Sequence, residues 1–138
     1  METPKLLIAG SSQRTVNLSR TAVEQLGYQI VTAPAMSVAL FLAQKNLPEI
    51  IISDLHMLDG DGMTFLHEVQ MDEELSEIPF IFCVDQLPGE TAELQALKAG
   101  ALKMVPNSLN AEEFLELIHP LILARIAAKG KRQEQTPE

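Results

Sequence analysis

Cysteine is nearly absent from this sequence. Cys83 stands alone, so no disulfide can form within the chain. It sits inside an apolar run, where a buried, inert thiol is the expected reading. Tryptophan is missing and Tyr28 is the single tyrosine, which leaves little with which to stack a flavin or a base. Positive charge is also scarce. Ten basic residues face nineteen acidic ones, for a formal charge of −9. That surplus repels phosphate backbones, so direct nucleic-acid binding is not expected. The one basic cluster, Lys129, Lys131 and Arg132, falls in a polar stretch and reads as solvated. No apolar run approaches the ~20 residues that span a bilayer. The opening METPK lacks the apolar core of a signal peptide. A membrane partner is therefore not expected, and the cytoplasm is the expected compartment.

What is present is an alternation. Short apolar runs at 6–9 (LLIA), 29–33 (QIVTA), 50–54 (IIISD), 80–84 (FIFCV) and 102–105 (LKMV) read as strands. They are mostly continuous rather than alternating, as parallel strands covered on both faces are. Helical patterns lie between them. The first carries Leu18, Ala22 and Leu26 and stops at Gly27. The second presents Val38, Phe41 and Leu42 on one face after Ser37, a suitable N-cap. The third spans about 63–75 with Met63, Leu66 and Val69 inward, and the fourth is 90–99. The fifth starts after Asn110, with Glu112 and Glu113 at the positive end of its dipole. Met57, Met63, Met71 and Met104 are expected to fill core or half-buried space. Strand–helix alternation repeated in this way gives an α/β fold with right-handed crossovers and an open parallel sheet. Residues 1–128 read as one domain, and 129–138 as a polar tail or the start of a linker.

In such a sheet the functional crevice lies at the carboxyl ends of the strands. Gly10, Ser11 and Ser12 follow the first run, Asp54 ends the third, Asp85 and Gln86 follow the fourth, and Pro106, Asn107 and Ser108 follow the fifth. Asp54 is the carboxylate that a central strand delivers to this edge, an arrangement suited to a phosphoacceptor or a metal ligand. On spacing alone a solvated capping aspartate is the favoured reading.

The segment 48–66, PEIIISDLHMLDGDGMTFL, closely resembles the central motif of response-regulator receiver domains in two-component signalling. In that family an apolar strand ends in the phosphoacceptor Asp, with a Met three residues on and an Asp-Gly turn opening the next helix. Asp54, Met57, Asp61 and Gly62 fall on those positions. The KLLIA opening, the pair Ile78 and Pro79, and the run Ala99, Gly100 and Ala101 match as well. The resemblance covers roughly 4–125. It implies a flavodoxin-like three-layer α/β/α fold with strand order 2-1-3-4-5, and no enzymatic activity of its own. It also implies signalling partners: a sensor histidine kinase or a downstream output protein.

The departures from the family pattern are specific. Gly10 and Ser11 stand where receivers carry a Mg²⁺-binding acidic pair, and Val84 stands where they carry Thr or Ser. Asn107 and Ser108 replace Lys-Pro, Met104 replaces the switch aromatic, and Leu58 follows the conserved Met in place of Pro. Of the side chains the family uses, Asp54 is what remains. Asp54 with the His56 carbonyl would hold Mg²⁺ weakly at most, and no other cofactor is expected. Each missing charge-assisted contact removes on the order of 1.5–3 kcal/mol of stabilisation, so efficient phosphotransfer is not expected. The expectation is a pseudo-receiver that works by binding. A phosphoaccepting receiver with a rearranged Mg²⁺ site is the nearest alternative. A flavodoxin-like cofactor binder, holding a phosphate on the hydroxyl-rich loop 10–15 (GSSQRT), is the alternative from another class.

Several further features carry a second reading. Asp54, His56, Asp59 and Asp61 have the look of a metal cluster, although Asp-Gly pairs more often shape a turn and start a helix. Asp85 reads as a solvated loop acid or as a substitute carboxylate near the pocket. The fifth helix is apolar beyond one stripe, with Leu117, Leu121, Leu123 and Ile126 as expected partner contacts and a homodimer through this helix as one outcome. Pro120 cannot donate to the carbonyl of Glu116, so a kink or break is expected there.

Overall fold

The computed structural model describes residues 3–135, with side chains as far as Gly130. Five strands form one parallel sheet: β1 (Lys5–Ala9), β2 (Gln29–Ala33), β3 (Ile50–Ser53), β6 (Phe80–Val84) and β7 (Lys103–Pro106). Two short strands, β4 (His56–Met57) and β5 (Gly60–Asp61), make a separate antiparallel hairpin. The sheet order is β2-β1-β3-β6-β7, which is 2-1-3-4-5 once the hairpin is set aside. Helices α1 (Gln13–Val23), α2 (Met36–Asn46), α3 (Gly62–Met71), α4 (Glu90–Ala99) and α5 (Ala111–Gln135) join and cover the strands.

The pleat divides the strand residues between two cores. Leu7, Ala9, Ile51, Phe80 and Phe82 face one side, with Ala39 and Ala43 of α2, Phe65, Leu66 and Val69 of α3, and Ala96 of α4. Leu6, Ile8, Ile50, Ile52, Ile81 and Cys83 face the other, with Val16 of α1 and Phe114, Ile118 and Ile122 of α5. Burial on both faces explains the continuous apolar runs. Phe65, Phe80 and Phe82 pack in sequence, with ring centroids 5.6 and 5.2 Å apart.

The structure departs from the sequence reading at several points. In α2, Ala39 and Ala43 face the sheet, whereas Phe41 is 59% exposed and Val38 is also exposed. Small residues let the helix approach closely, and an apolar excess around the whole helix masks that face. Phe41 is shielded instead by Lys45, whose Nζ lies 5.9 Å from the ring centroid. Ser37 is inside α2 rather than its cap, and the carboxylate of Asp59 takes that role from the hairpin. Met71 and Leu26 are exposed.

Helix α5 runs unbroken through Pro120. Ile118 and Ile122 are buried on either side of it, while Pro120 and Glu116 lie on the exposed face, where water can satisfy the carbonyl that lacks a donor. The same helix continues through Gln135, so the expected polar tail is helical from Lys129 to that point; residues 136–138 lie outside the described residues. Lys129 Nζ pairs with Glu49 Oε2 and donates to the Leu47 carbonyl at 3.3 Å. Glu49 also accepts from the Lys5 amide at 2.6 Å, so one carboxylate ties the far end of α5 to the start of β1. Removing it leaves a half-buried ammonium with the Leu47 carbonyl but no counter-charge, and takes the acceptor from the Lys5 amide. Glu49→Ala is expected to cost about 2 kcal/mol, read as a lower urea midpoint and as faster amide exchange over residues 125–130.

Candidate functional site

Asp54 follows β3 directly, and its amide donates to the Ala9 carbonyl at 2.8 Å. Its position depends on two glycines. At Gly10 (φ +129°) a Cβ would fall 2.3 Å from Asp54 Oδ2, and at Gly62 a Cβ would fall 2.2 Å from the Asp54 carbonyl oxygen. Only bare backbone lets the three segments converge. The Ser12 amide then donates to Asp54 Oδ2 at 3.2 Å. Ser12 Oγ accepts from the Thr15 amide at 3.3 Å and so caps α1.

The carboxylate is half-buried in a cleft of about 630 Å³ lined by Ser11, Ser12, His56, Val84, Asp85 and Gln86 among others. Loss of hydration is the chief reason that its pKa is pushed up to about 6. The Ser12 amide pulls the other way, Asp85 adds repulsion, and His56 offsets part of it.

Val84 is buried beneath the cleft. Met104 pairs in register with Phe82 and packs half-buried against the first core, away from the cleft wall. Asn107 is 2% exposed. Its Nδ2 donates to Asp85 Oδ1 at 2.6 Å, with Thr15 Oγ1 at 3.3 Å and Ser12 Oγ at 3.4 Å. Asp85 is exposed in the loop after β6, as a solvated acid would be, yet it is also held by this buried amide. Nothing in the local pattern signals that bond beyond the presence of an acid after Val84.

The wider acidic cluster does not converge. Asp59 Oδ2 accepts from Ser37 Oγ at 2.6 Å and from the Ser37 amide at 3.3 Å, contacts that hold its pKa below the ordinary carboxylate value. Asp61 accepts from the Thr64 amide at 2.8 Å and caps α3, and this bond lowers its pKa likewise. Among the described residues no group of three or more His, Cys, Asp or Glu side chains could hold a metal ion. Gly10 and Ser11 supply no carboxylate, and a side chain at Gly10 would collide with Asp54. The family's acidic pair after β1 is therefore missing, and Asp54 and Asp85 are the carboxylates among the described residues lining this cleft. Nor is the loop after β1 open as a phosphate cradle, since the Ser12 amide and hydroxyl are both engaged. Cys83 is fully buried, and burial pushes its thiol up to about 12.

On the fifth helix, Leu123 and Ile126 are exposed. Leu117 and Leu121, expected to face a partner, instead pack partly against the second core, because the sheet claims more than one stripe of α5. Among the described residues no helix is long and apolar enough to cross a membrane.

The family profile described as "Response regulator receiver domain" matches residues 6–119. The chain belongs to that family. Curated relatives of this receiver domain include histidine kinase P4 of Formosa agariphila, 30% identical over 104 residues, which are 75% of this chain and 8% of the relative. The polar-differentiation response regulator DivK of Brucella ovis is 24% identical over 84% of this chain and 94% of its own length. The chain spans less than half the length of the first of these relatives. Among solved structures, the chemotaxis response regulator CheY4 of Vibrio cholerae superposes with a TM-score of 0.76 at 22% identity, over 87% of this chain and 99% of its own. A CheY-like receiver domain protein of Methanospirillum hungatei gives 0.79 at 16% identity, over 92% and 99%. At such identities these structures speak for the fold.

Two outcomes follow from the geometry around Asp54. The raised pKa means that the folded receiver binds the Asp54 proton more tightly than the unfolded chain. Stability from the protonated group is complete below about pH 3.8 and is lost as pH rises through about 6. Asp54→Asn, fixed neutral, is therefore expected to gain on the order of 1 kcal/mol at neutral pH, after screening of a half-exposed group, and nothing below about pH 3.5, measured by urea unfolding at the two pH values. Gly10→Ala places a methyl group against Asp54 in a backbone conformation that alanine rarely adopts. It is expected to cost more than about 2 kcal/mol and to shift the amide resonances of Ser12 and Asp54 together.

Proposed function

We propose that this receiver domain is a pseudo-receiver in a phosphorelay or two-component pathway, acting through protein–protein contacts with little or no phosphorylation of Asp54. The observation that supports this most directly is the bond from Asn107 to Asp85. The side chain at the end of β7 is neutral and turned to a second acid, so the cleft around Asp54 gathers two carboxylates, and among the described residues neither lysine nor arginine lines it. A phosphoryl group would bring a charge of roughly −1.5 to −2 into that setting, with no lysine or arginine among the described lining residues to pair with it and a partly buried acid beside it. Val84 offers no hydroxyl through which a modification could be sensed.

Binding then falls to the exposed apolar side chains. Leu94, Leu97 and Leu102 lie on and after α4, and Leu123 and Ile126 lie on α5. Leu123 and Ile126 are three residues apart, so they share a face of the helix. Such a face suits a kinase, an output protein or a second copy of the chain. The domain's contribution is recognition rather than turnover.

The reading is tested by amide NMR of the domain, with Mg²⁺ added first and beryllofluoride second as a phosphoryl mimic. Spectra that stay unchanged around Asp54, Val84 and Asn107 are the expected result. Saturable shifts at these residues, absent in Asp54→Asn, would show a working phosphoacceptor with a rearranged ion site and would overturn the proposal.

A further inference from the structure

At the end of the sheet opposite Asp54 a second cleft, of about 280 Å³, opens between the start of β6, the residues just before β7 and the middle turns of α5. Its size falls at the small end of ligand sites. Phe80, Leu102, Leu121 and Ala128 contribute apolar wall, and Arg125 contributes the cation. The Arg125 side chain is only 10% exposed. Its Nη1 lies 3.5 Å from Glu77 Oε2, well beyond the usual length of a charge-assisted hydrogen bond. Its Nε is buried without an acceptor among the described residues. Guanidinium carries five N–H donors in a rigid fork, and burying it with donors unmatched is costly. The protein thus keeps an under-satisfied cation at the wall of an apolar cleft, far from the site already described.

We propose that this cleft binds a small organic carboxylate with an apolar or aromatic body. The body would lie on Leu102, Leu121 and Ala128. A modest rotation of the guanidinium presents its Nε and Nη edge to the carboxylate as a two-pronged donor, with Glu77 remaining at the rim. The site is independent of Asp54 chemistry and does not rest on the pseudo-receiver reading. It would give the domain a chemical input at α5, the helix that also carries Leu123 and Ile126.

The test is an amide NMR titration of the full chain with sodium phenylacetate at constant ionic strength, with phenylacetamide as the neutral isostere. Saturable shifts are expected over residues 77–80, 100–102 and 121–128, with phenylacetamide about tenfold weaker or worse. Arg125→Gln should weaken phenylacetate by a similar factor, with folding checked by circular dichroism. Ala128→Leu narrows the cleft at an exposed position and should weaken binding while leaving Arg125 in place. Asp54→Asn should leave the titration unchanged, which separates this proposal from the one above. Equal binding of acid and amide, undiminished binding by Arg125→Gln, or no saturable shifts up to roughly 20 mM ligand would each overturn it.

Discussion

The close approach of Asp54 to two stretches of bare backbone is the constraint on which the site rests. Gly10 and Gly62 each sit where a Cβ would overlap Asp54 atoms, so β1, β3 and α3 can meet around one carboxylate. Once that carboxylate is in place, its hydration is reduced, its pKa rises, and the Ser12 amide becomes its principal donor. The sheet supplies the rest. Parallel strands in the order β2-β1-β3-β6-β7 bring the loops after β1, β3 and β6 to one edge, and the isoleucines of β3, buried on both faces, fix the height at which Asp54 emerges.

Around that point the electrostatic balance differs from that of a phosphate-binding pocket. A receptor for a dianion places fixed positive charge and donors where the dianion will sit. Here Asn107 spends its amide on Asp85 and on the hydroxyls of Ser12 and Thr15. The Nδ2 side of Asn107 ties the end of β7 to α1 and the loop after β6, while its Oδ1 is buried without a partner among the described residues. The network organises the region, and among the described residues no lysine or arginine lines the cleft, which accords with recognition by surface contacts.

Much of this architecture was legible in the sequence, for physical reasons. Doubly buried strands must be apolar throughout, so the runs of β1, β3 and β6 mark the centre of the sheet, the half-exposed edge strands β2 and β7 extend it, and 29–33, 80–84 and 90–99 coincide with observed elements. The Asn110 cap of α5 was equally plain, its carboxamide accepting from the Glu113 amide at 2.8 Å. Asp54 was found through the motif around it. The inward face of α2 is only partly legible, because Ala39 and Ala43 pack against the sheet, Leu40 and Leu42 pack partly against the same core, and Val38 and Phe41 point to water. Nor was the Asn107–Asp85 bond, which joins residues twenty-two positions apart and depends on loop geometry that no local pattern encodes. The Pro120 signal was real but insufficient. Tertiary packing of Ile118 and Ile122 outweighed one missing hydrogen bond.

The bond set of Asp59 has a mechanical corollary. This carboxylate belongs to the hairpin just beyond Asp54, yet it holds the amides of Met36 and Ser37 and the Ser37 hydroxyl, while the Leu58 amide donates to the Pro34 carbonyl at 3.3 Å. Hairpin and helix are thereby coupled like a crank and its rod. The loop after Asp54 cannot shift without pulling the first turn of α2 along or breaking these bonds. Motion arising at the Asp54 edge would reach the Phe41 flank of the domain as a rigid-body displacement, on the side of the sheet away from α5.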